Sequence, residues 1–153
     1  LLYLFERLFT MFRLLITGSR SWTDVAAIRA EFDIVREHEG TNVHLVSGNC
    51  PNGADKICEE LAAEYGWSVE LHPLDWKSGP NGEYNPRAGF DRNQEMVELG
   101  ADFVLAFVKD NSGGAMNTVA HARKGGLPTK VIHRTTPTVQ DWLLPYTSQK
   151  AKA

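Results

Sequence analysis

Cysteine, surplus basic charge and long apolar runs are scarce in this sequence, and each shortage narrows the function. Cys50 and Cys58 are the only cysteines among 153 residues, and neither CxxC nor Cys/His ligand spacing is present. A secreted disulfide framework and a structural metal are therefore not expected, and the cytoplasm is the expected location. Sixteen Lys and Arg stand against 19 Asp and Glu, a formal net charge of -3. That balance supplies no broad basic surface for duplex DNA, where affinity rests on many phosphate contacts, although a local basic pocket stays open. The apolar stretch LLYLFERLFT at residues 1–10 is too short to span a bilayer and lacks the basic flank and small-residue cleavage site of a signal peptide. No membrane role follows. Internal repeats and low-complexity runs are absent as well.

What remains is the patterning of one α/β domain. With 42% hydrophobic and 23% charged residues, a chain of this length buries a real core as a single unit. Met11 stands immediately before the first β-type run. Residues 1–10 therefore read as an extension upstream of the natural start, 11–147 as the domain and 148–153 as a flexible tail. The alternative for residues 1–10 is a short amphipathic helix packed on a partner. Short β-type runs fall at Arg13–Thr17, Val43–Ser47, Ser68–His72, Phe103–Val108 and Lys130–His133. Between them lie helical patterns. The clearest is GADKICEELAAEYG, where Ala54, Ile57, Cys58, Leu61, Ala62 and Tyr65 form one apolar stripe and Gly66 is a stop. An earlier helix opens near Asp24, a candidate N-cap, and ends at Gly40; two more run from about Gly89 to Leu99 and from about Gly114 to Lys124. Apolar strands joined by helices predict a Rossmann-like α/β fold, a parallel sheet of about five strands with helices on both faces.

In such a sheet, ligands bind beyond the carboxyl ends of the strands, where strand order reverses. The residues just after each strand are Gly18-Ser19-Arg20, Ser47-Gly48-Asn49, His72 to Asp75 and Asp110 to Gly114, all rich in glycine, small polar groups or charge. Glycine lets backbone N–H groups approach an anion, and a following helix N-terminus adds partial positive charge. Neither GxGxxG nor the Walker pattern is present, so Gly18 is open to two readings, a phosphate cradle or a simple turn. The longest connection, from His72 to the helix carrying Arg92 and Asn93, is rich in Pro and Gly, as binding loops often are. Its Trp76 and Tyr84 either stack on a base or sugar or close the sheet edge. Arg87 reads as a solvated charge.

In order along the chain, TGSRSWTD, SGNCPNGADKICEELAAEYG, HPLDW, RAGFDRNQEM, DFVLAF and GGAMNT resemble the SLOG superfamily. The likeness is strongest to its branch of short bacterial and phage proteins related to YspA, and it covers about Phe12 to His133. The resemblance implies a single SLOG-like domain whose ligands are nucleotides or nucleotide derivatives, including NAD- or ADP-ribose-like molecules. Relatives include LOG-type phosphoribohydrolases, a molybdenum-cofactor carrier and the DNA-processing protein DprA. Carried over by motif, Gly18, Ser19 and Arg20 match the first ligand loop, and Gly53, Ala54 and Asp55 the second. Arg92, Asn93 and Met96 match the third, and Gly113, Gly114 and Thr118 the glycine-rich phosphate loop. No cofactor is implied, and a homodimer is expected because relatives commonly associate and because LLYLFERLFT and VQDWLLPY offer apolar surface.

One departure bears on chemistry. LOG-type hydrolases carry GGxGT followed within a helical turn by a glutamate that, with an arginine, drives N-glycosidic cleavage. Here the run is GGAMNTVAHARKGG, with Asn117 replacing the glycine, an extra residue, and His121 where the glutamate would fall. The remaining catalytic candidates are His121, as a base or a hydrogen-bonding surface residue, and Asp55, as a helix cap or as a partner for a ribose hydroxyl or water. Binding of a nucleotide derivative as sensor, carrier or sponge is thus the leading expectation. N-glycosidic hydrolysis comes second. DprA-like single-strand binding is a distant third, since such a groove calls for more basic residues than Arg20, Arg87 and Arg92 provide.

Overall fold

The computed structural model of the chain describes residues 10–139. The expectations about an upstream extension, a flexible tail and VQDWLLPY fall almost wholly outside that range. Five apolar runs form β1 (Phe12–Gly18), β2 (Val43–Ser47), β3 (Ser68–Leu71), β4 (Phe103–Lys109) and β5 (Thr129–Arg134). They pair in one parallel sheet of order β3-β2-β1-β4-β5. Four helices connect them: α1 (Val25–Glu39), α2 (Ala54–Glu64), α3 (Ala88–Glu98) and α4 (Gly113–Lys124).

Alternation along the strands decides which helix covers which face. Leu14, Ile16, Val43, Leu45, Leu105 and Phe107 point to one side, where they bury Ile28 and Phe32 of α1 and Ala54, Cys58, Leu61 and Ala62 of α2. Leu15, Val46 and Val104 point to the other and meet Met96 and Val97 of α3 and Ala122 of α4. The α1 start follows its sequence signal: the Asp24 carboxylate accepts the Ala27 N–H at 3.0 Å. Gly40, at φ +59°, closes the helix in a conformation that disfavours other residues.

The sequence-based boundaries shift by a residue or so, with one consequence. β1 extends to Gly18, which pairs with Phe107 of β4, so that glycine is the last residue of a strand and not the first of a loop. β3 is shorter than expected and stops at Leu71, although the His72 N–H still reaches the Ser47 carbonyl at 2.8 Å. The chain builds outward from β1 to β3, then returns to lay β4 on the other side of β1. The switch point between β1 and β4 is therefore central, and the loops after both strands open there.

Candidate functional site

A cleft of about 890 Å³ lies over the carboxyl ends of β1 and β4. That volume is in the range of small-molecule sites, roughly 300–1,000 Å³. Its walls come from the end of β1 and the loop after it (Gly18 to Ser21), the loop after β2 (Asn49 to Pro51) with Asp55, Leu74 and Trp76 of the long connection, Arg92 and Asn93 of α3, and Lys109 to Ser112 with Gly114 and Ala115 around the start of α4.

Tight backbone packing builds the first wall. A Cβ on Gly18 would overlap the Ala54 side chain and come within 2.7 Å of the Phe107 carbonyl oxygen, so glycine lets α2 sit directly against the end of β1. Gly53, at φ +79°, is pressed against the Ser19 and Arg20 carbonyls and takes the cap position of α2. The Ala54 N–H then donates to the Ser19 carbonyl at 3.1 Å. Ser19 is buried, and its hydroxyl accepts the Lys109 N–H at 2.8 Å, tying β1 to β4. Trp22 seals the loop from beneath, edge-on to Phe107 at 5.5 Å with its indole N–H on the Asp24 carbonyl. Arg20 is displayed by this segment: it is exposed and has no hydrogen-bond or ion-pair partner among the described residues. Gly18 thus answers to packing, and the loop it permits presents a free guanidinium to the cleft.

The second wall holds a buried carboxylate near a half-buried arginine. Asp55 is 6% exposed, and its Oδ2 accepts the Cys50 N–H at 3.1 Å. Burial raises its carboxyl from the ordinary 3.8 to about 6, against the opposing pull of the Cys50 N–H, Arg92 and Arg20. Arg92 reaches across from α3, donating through Nη1 to the Gly48 carbonyl at 2.8 Å and through Nη2 to Asn93 at 3.4 Å. Its Nε is buried without a partner, and burial lowers its pKa. Gly48 lies between the two: a Cβ there would stand 3.1 Å from the Arg92 guanidinium carbon and 3.2 Å from Asp55 Oδ2. The adjoining Asn49 and, at the end of β4, Asp110 both sit at φ +55°, a region that non-glycine residues seldom adopt and that clusters at functional sites.

The third wall is the start of α4. Asn93, 5% exposed, donates to the Gly114 carbonyl at 3.3 Å and to Asn117 at 3.2 Å, holding α3 against α4. The Cβ positions of Gly113 and Gly114 face open space and neither glycine has positive φ, so these residues keep the helix N-terminus uncrowded. Thr118, one turn on, is fully buried with its hydroxyl unpartnered.

The motif residues separate by position. Gly18, Ser19, Arg20, Asp55, Arg92, Asn93 and Gly114 line one cleft; Gly53 and Ala54 stand behind it as its frame, and Gly113 is exposed at the start of α4 outside the lining. Met96 packs in the core with Leu15 and Val46: it shares a face of α3 with Arg92 and Asn93, but one turn, about 5–6 Å along the axis, carries that face from the cleft to over the sheet. His121 is in the last turn of α4, about 10 Å along the axis from Gly114, and does not line the cleft. Lys109, Asp110 and Ser112 line it without having been singled out individually; the signal for Lys109 was its place at the carboxyl end of a central strand. Among the described residues no group of three or more His, Cys, Asp or Glu is arranged to hold a metal ion, and no helix is long and apolar enough to cross a membrane.

Chemically, the arrangement offers cations (Arg20, Arg92, Lys109) and an open helix start for an anion, with Asp55 as an acceptor for a hydroxyl. A family model described as YspA, cpYpsA-related SLOG matches residues 12–79. The Gene 61 protein of Mycobacterium phage D29 is 34% identical over 132 residues, covering 77% of this chain and 94% of the phage protein. In fold, the chain is similar to DNA processing protein A of Helicobacter pylori, whose structure was described for its single-stranded DNA binding mode. The TM-score is 0.56 at 17% identity, over 93% of this chain and 75% of that one. The phage relative, aligned over nearly its whole length, and the matching family model together establish that the chain belongs to the YspA, cpYpsA-related SLOG family.

Proposed function

We propose that the cleft binds a phosphate-bearing nucleotide or nucleotide derivative, such as a nucleoside monophosphate or an NAD- or ADP-ribose-like molecule, and that the protein serves as sensor, carrier or sponge. The observation that carries this is Arg92: a half-buried guanidinium, braced on the Gly48 carbonyl, with its Nε buried and unpartnered, in the cleft that the start of α4 also lines. Buried polar groups are normally hydrogen-bonded, and a phosphate oxygen is the partner that best suits a guanidinium N–H. Asp55 then suits a ribose hydroxyl, and Arg20 a second phosphate oxygen. The protein is taken to act in the cytoplasm as a homodimer of the 11–147 domain, which light scattering would test.

Calorimetric titration of the full chain with a panel of nucleoside monophosphates, NAD and ADP-ribose tests the proposal. Saturable binding of at least one member, weakened roughly tenfold or more by Arg92→Ala, is expected. No binding by any member rejects it. A second reading, N-glycosidic hydrolysis, draws on Asp55, whose raised pKa suits proton transfer near neutrality. Chromatography of the same mixtures is expected to find no base release approaching about one turnover per second. Release at that rate, lost in Asp55→Asn, would make hydrolysis the function. Single-strand binding, the mode described for the H. pylori protein, is the more distant alternative.

A further inference from the structure

The long connection between β3 and α3 is not a slack loop. Asn85 holds it at several points: its N–H donates to the Trp76 carbonyl at 2.7 Å, its side-chain amide to Ser78 at 3.0 Å and to Asp91 of α3 at 2.9 Å, and its side-chain oxygen accepts the Arg87 N–H at 2.9 Å. A narrow turn closes the tip, where the Gly79 N–H meets the Glu83 carbonyl at 3.0 Å. The frame sets Tyr84 flat against Trp76, with ring centroids 5.8 Å apart and planes 17° from parallel. Neither ring is buried by this: Trp76 stays 46% exposed and Tyr84 68%. Trp76 is the aromatic residue of the cleft lining, and Tyr84 is not part of that lining.

Two large rings held in solvent by a fixed frame need a reason, since tryptophan contributes most when its faces are covered. Trp22 and Trp67 show that disposition here, at 2% and 5% exposed. We infer that Trp76 is a stacking platform for a nucleobase, with Tyr84 as its backing ring and Asn85 as the positioning residue. The inference rests on the cleft holding nucleotides and adds that the base, not only the sugar phosphate, is bound. Aromatic faces accept any base, so affinity gained this way is tolerant of base identity. The shared chemistry is a nucleobase, from a free nucleotide or from a single strand.

The test compares AMP, ribose 5-phosphate and a short oligothymidylate on the full-length protein, its Trp76→Ala and its Trp76→Phe variant, with circular dichroism to verify the fold. Trp76→Ala is expected to weaken AMP binding about five- to a hundredfold, the range that loss of base–aromatic stacking gives, and to leave ribose 5-phosphate unchanged. Trp76→Phe should recover most of the loss. Equal AMP affinity in Trp76→Ala, or an equal loss for ribose 5-phosphate, overturns the platform while leaving the phosphate site standing. Binding of the oligothymidylate alone, lost in Trp76→Ala, keeps the platform and rejects the small-nucleotide function. Wild-type protein that binds none of the three rejects both.

Discussion

Two arginine and carboxylate assemblies stand on this sheet, and they are finished to different degrees. At the β3 side, Arg13 grips Glu70 with both terminal nitrogens, at 3.1 and 3.0 Å, and donates its Nε to the Gly100 carbonyl at 3.1 Å. His72 adds a contact to Glu70 at 2.8 Å, and these partners pull the Glu70 carboxyl down to about 2. At the switch point, Arg92 and Asp55 flank Gly48 without a hydrogen bond to each other, Arg92 Nε has no partner, and burial pushes Asp55 up to about 6. The same residue types make a closed structural clamp in one place and an open site in the other. The difference is whether the protein itself supplies the missing hydrogen bonds, and in the cleft it does not.

The comparison would be broken most visibly by Arg92→Ala. Nucleotide affinity should drop about ten- to a hundredfold, equivalent to a charge-assisted hydrogen bond of about 1.5–3 kcal/mol, with the melting temperature nearly unchanged. Calorimetry paired with thermal melts checks it; a large loss of stability would make Arg92 a second clamp.

Asp55→Asn comes next, because the two carboxylates have opposite pH signs. Asp55 holds its proton more tightly folded than unfolded, so its contribution to stability falls as pH rises from about 4 through about 6 and stays unfavourable above. Asp55→Asn should therefore stabilise the protein at neutral pH by about 1–2 kcal/mol and flatten that slope. Thermal melts of wild type and Asp55→Asn between about pH 4 and about pH 7.5 check this, and parallel slopes would contradict it.

Arg20→Ala should cost only a few fold in affinity, in a salt-dependent manner, since its guanidinium is exposed and screened. Titrations at low and high ionic strength that show an equal loss would contradict this. The smallest effect belongs to the finished assembly. Glu70→Gln should destabilise by about 1 kcal/mol in urea melts and leave nucleotide affinity untouched. The Glu70 contribution is present above pH 4.5 and is lost as pH falls toward 2, the reverse of Asp55.

The architecture was legible because apolar runs and helical stripes are local signals. All five strands, the Asp24 cap and the glycine stop at Gly40 could be read from the chain. So could the glycine-rich segments after the strands. What stayed hidden depends on partners distant in sequence. Nothing in SGN indicates that Gly48 separates Arg92 from Asp55, or that its carbonyl braces an arginine 44 residues away. Asn93 and Met96 share a motif and a helix face, yet one clamps α4 and the other fills the core, because one turn along the axis brings them to different neighbours. His121 was placed by counting from a glycine pair, and the extra residue in GGAMNT shifts the helix phase that such counting assumes. Asn85 gave no signal at all, since a loop asparagine that organises a turn has the composition of any other.

The most direct measurement is a crystal structure of the chain grown with AMP or ADP-ribose. A phosphate oxygen within about 2.7–3.2 Å of Arg92 Nε, over the start of α4, is the expected result. A nucleotide bound elsewhere, or Arg92 still held by the Gly48 carbonyl with its Nε buried and unpartnered while ligand is present in excess, would contradict it.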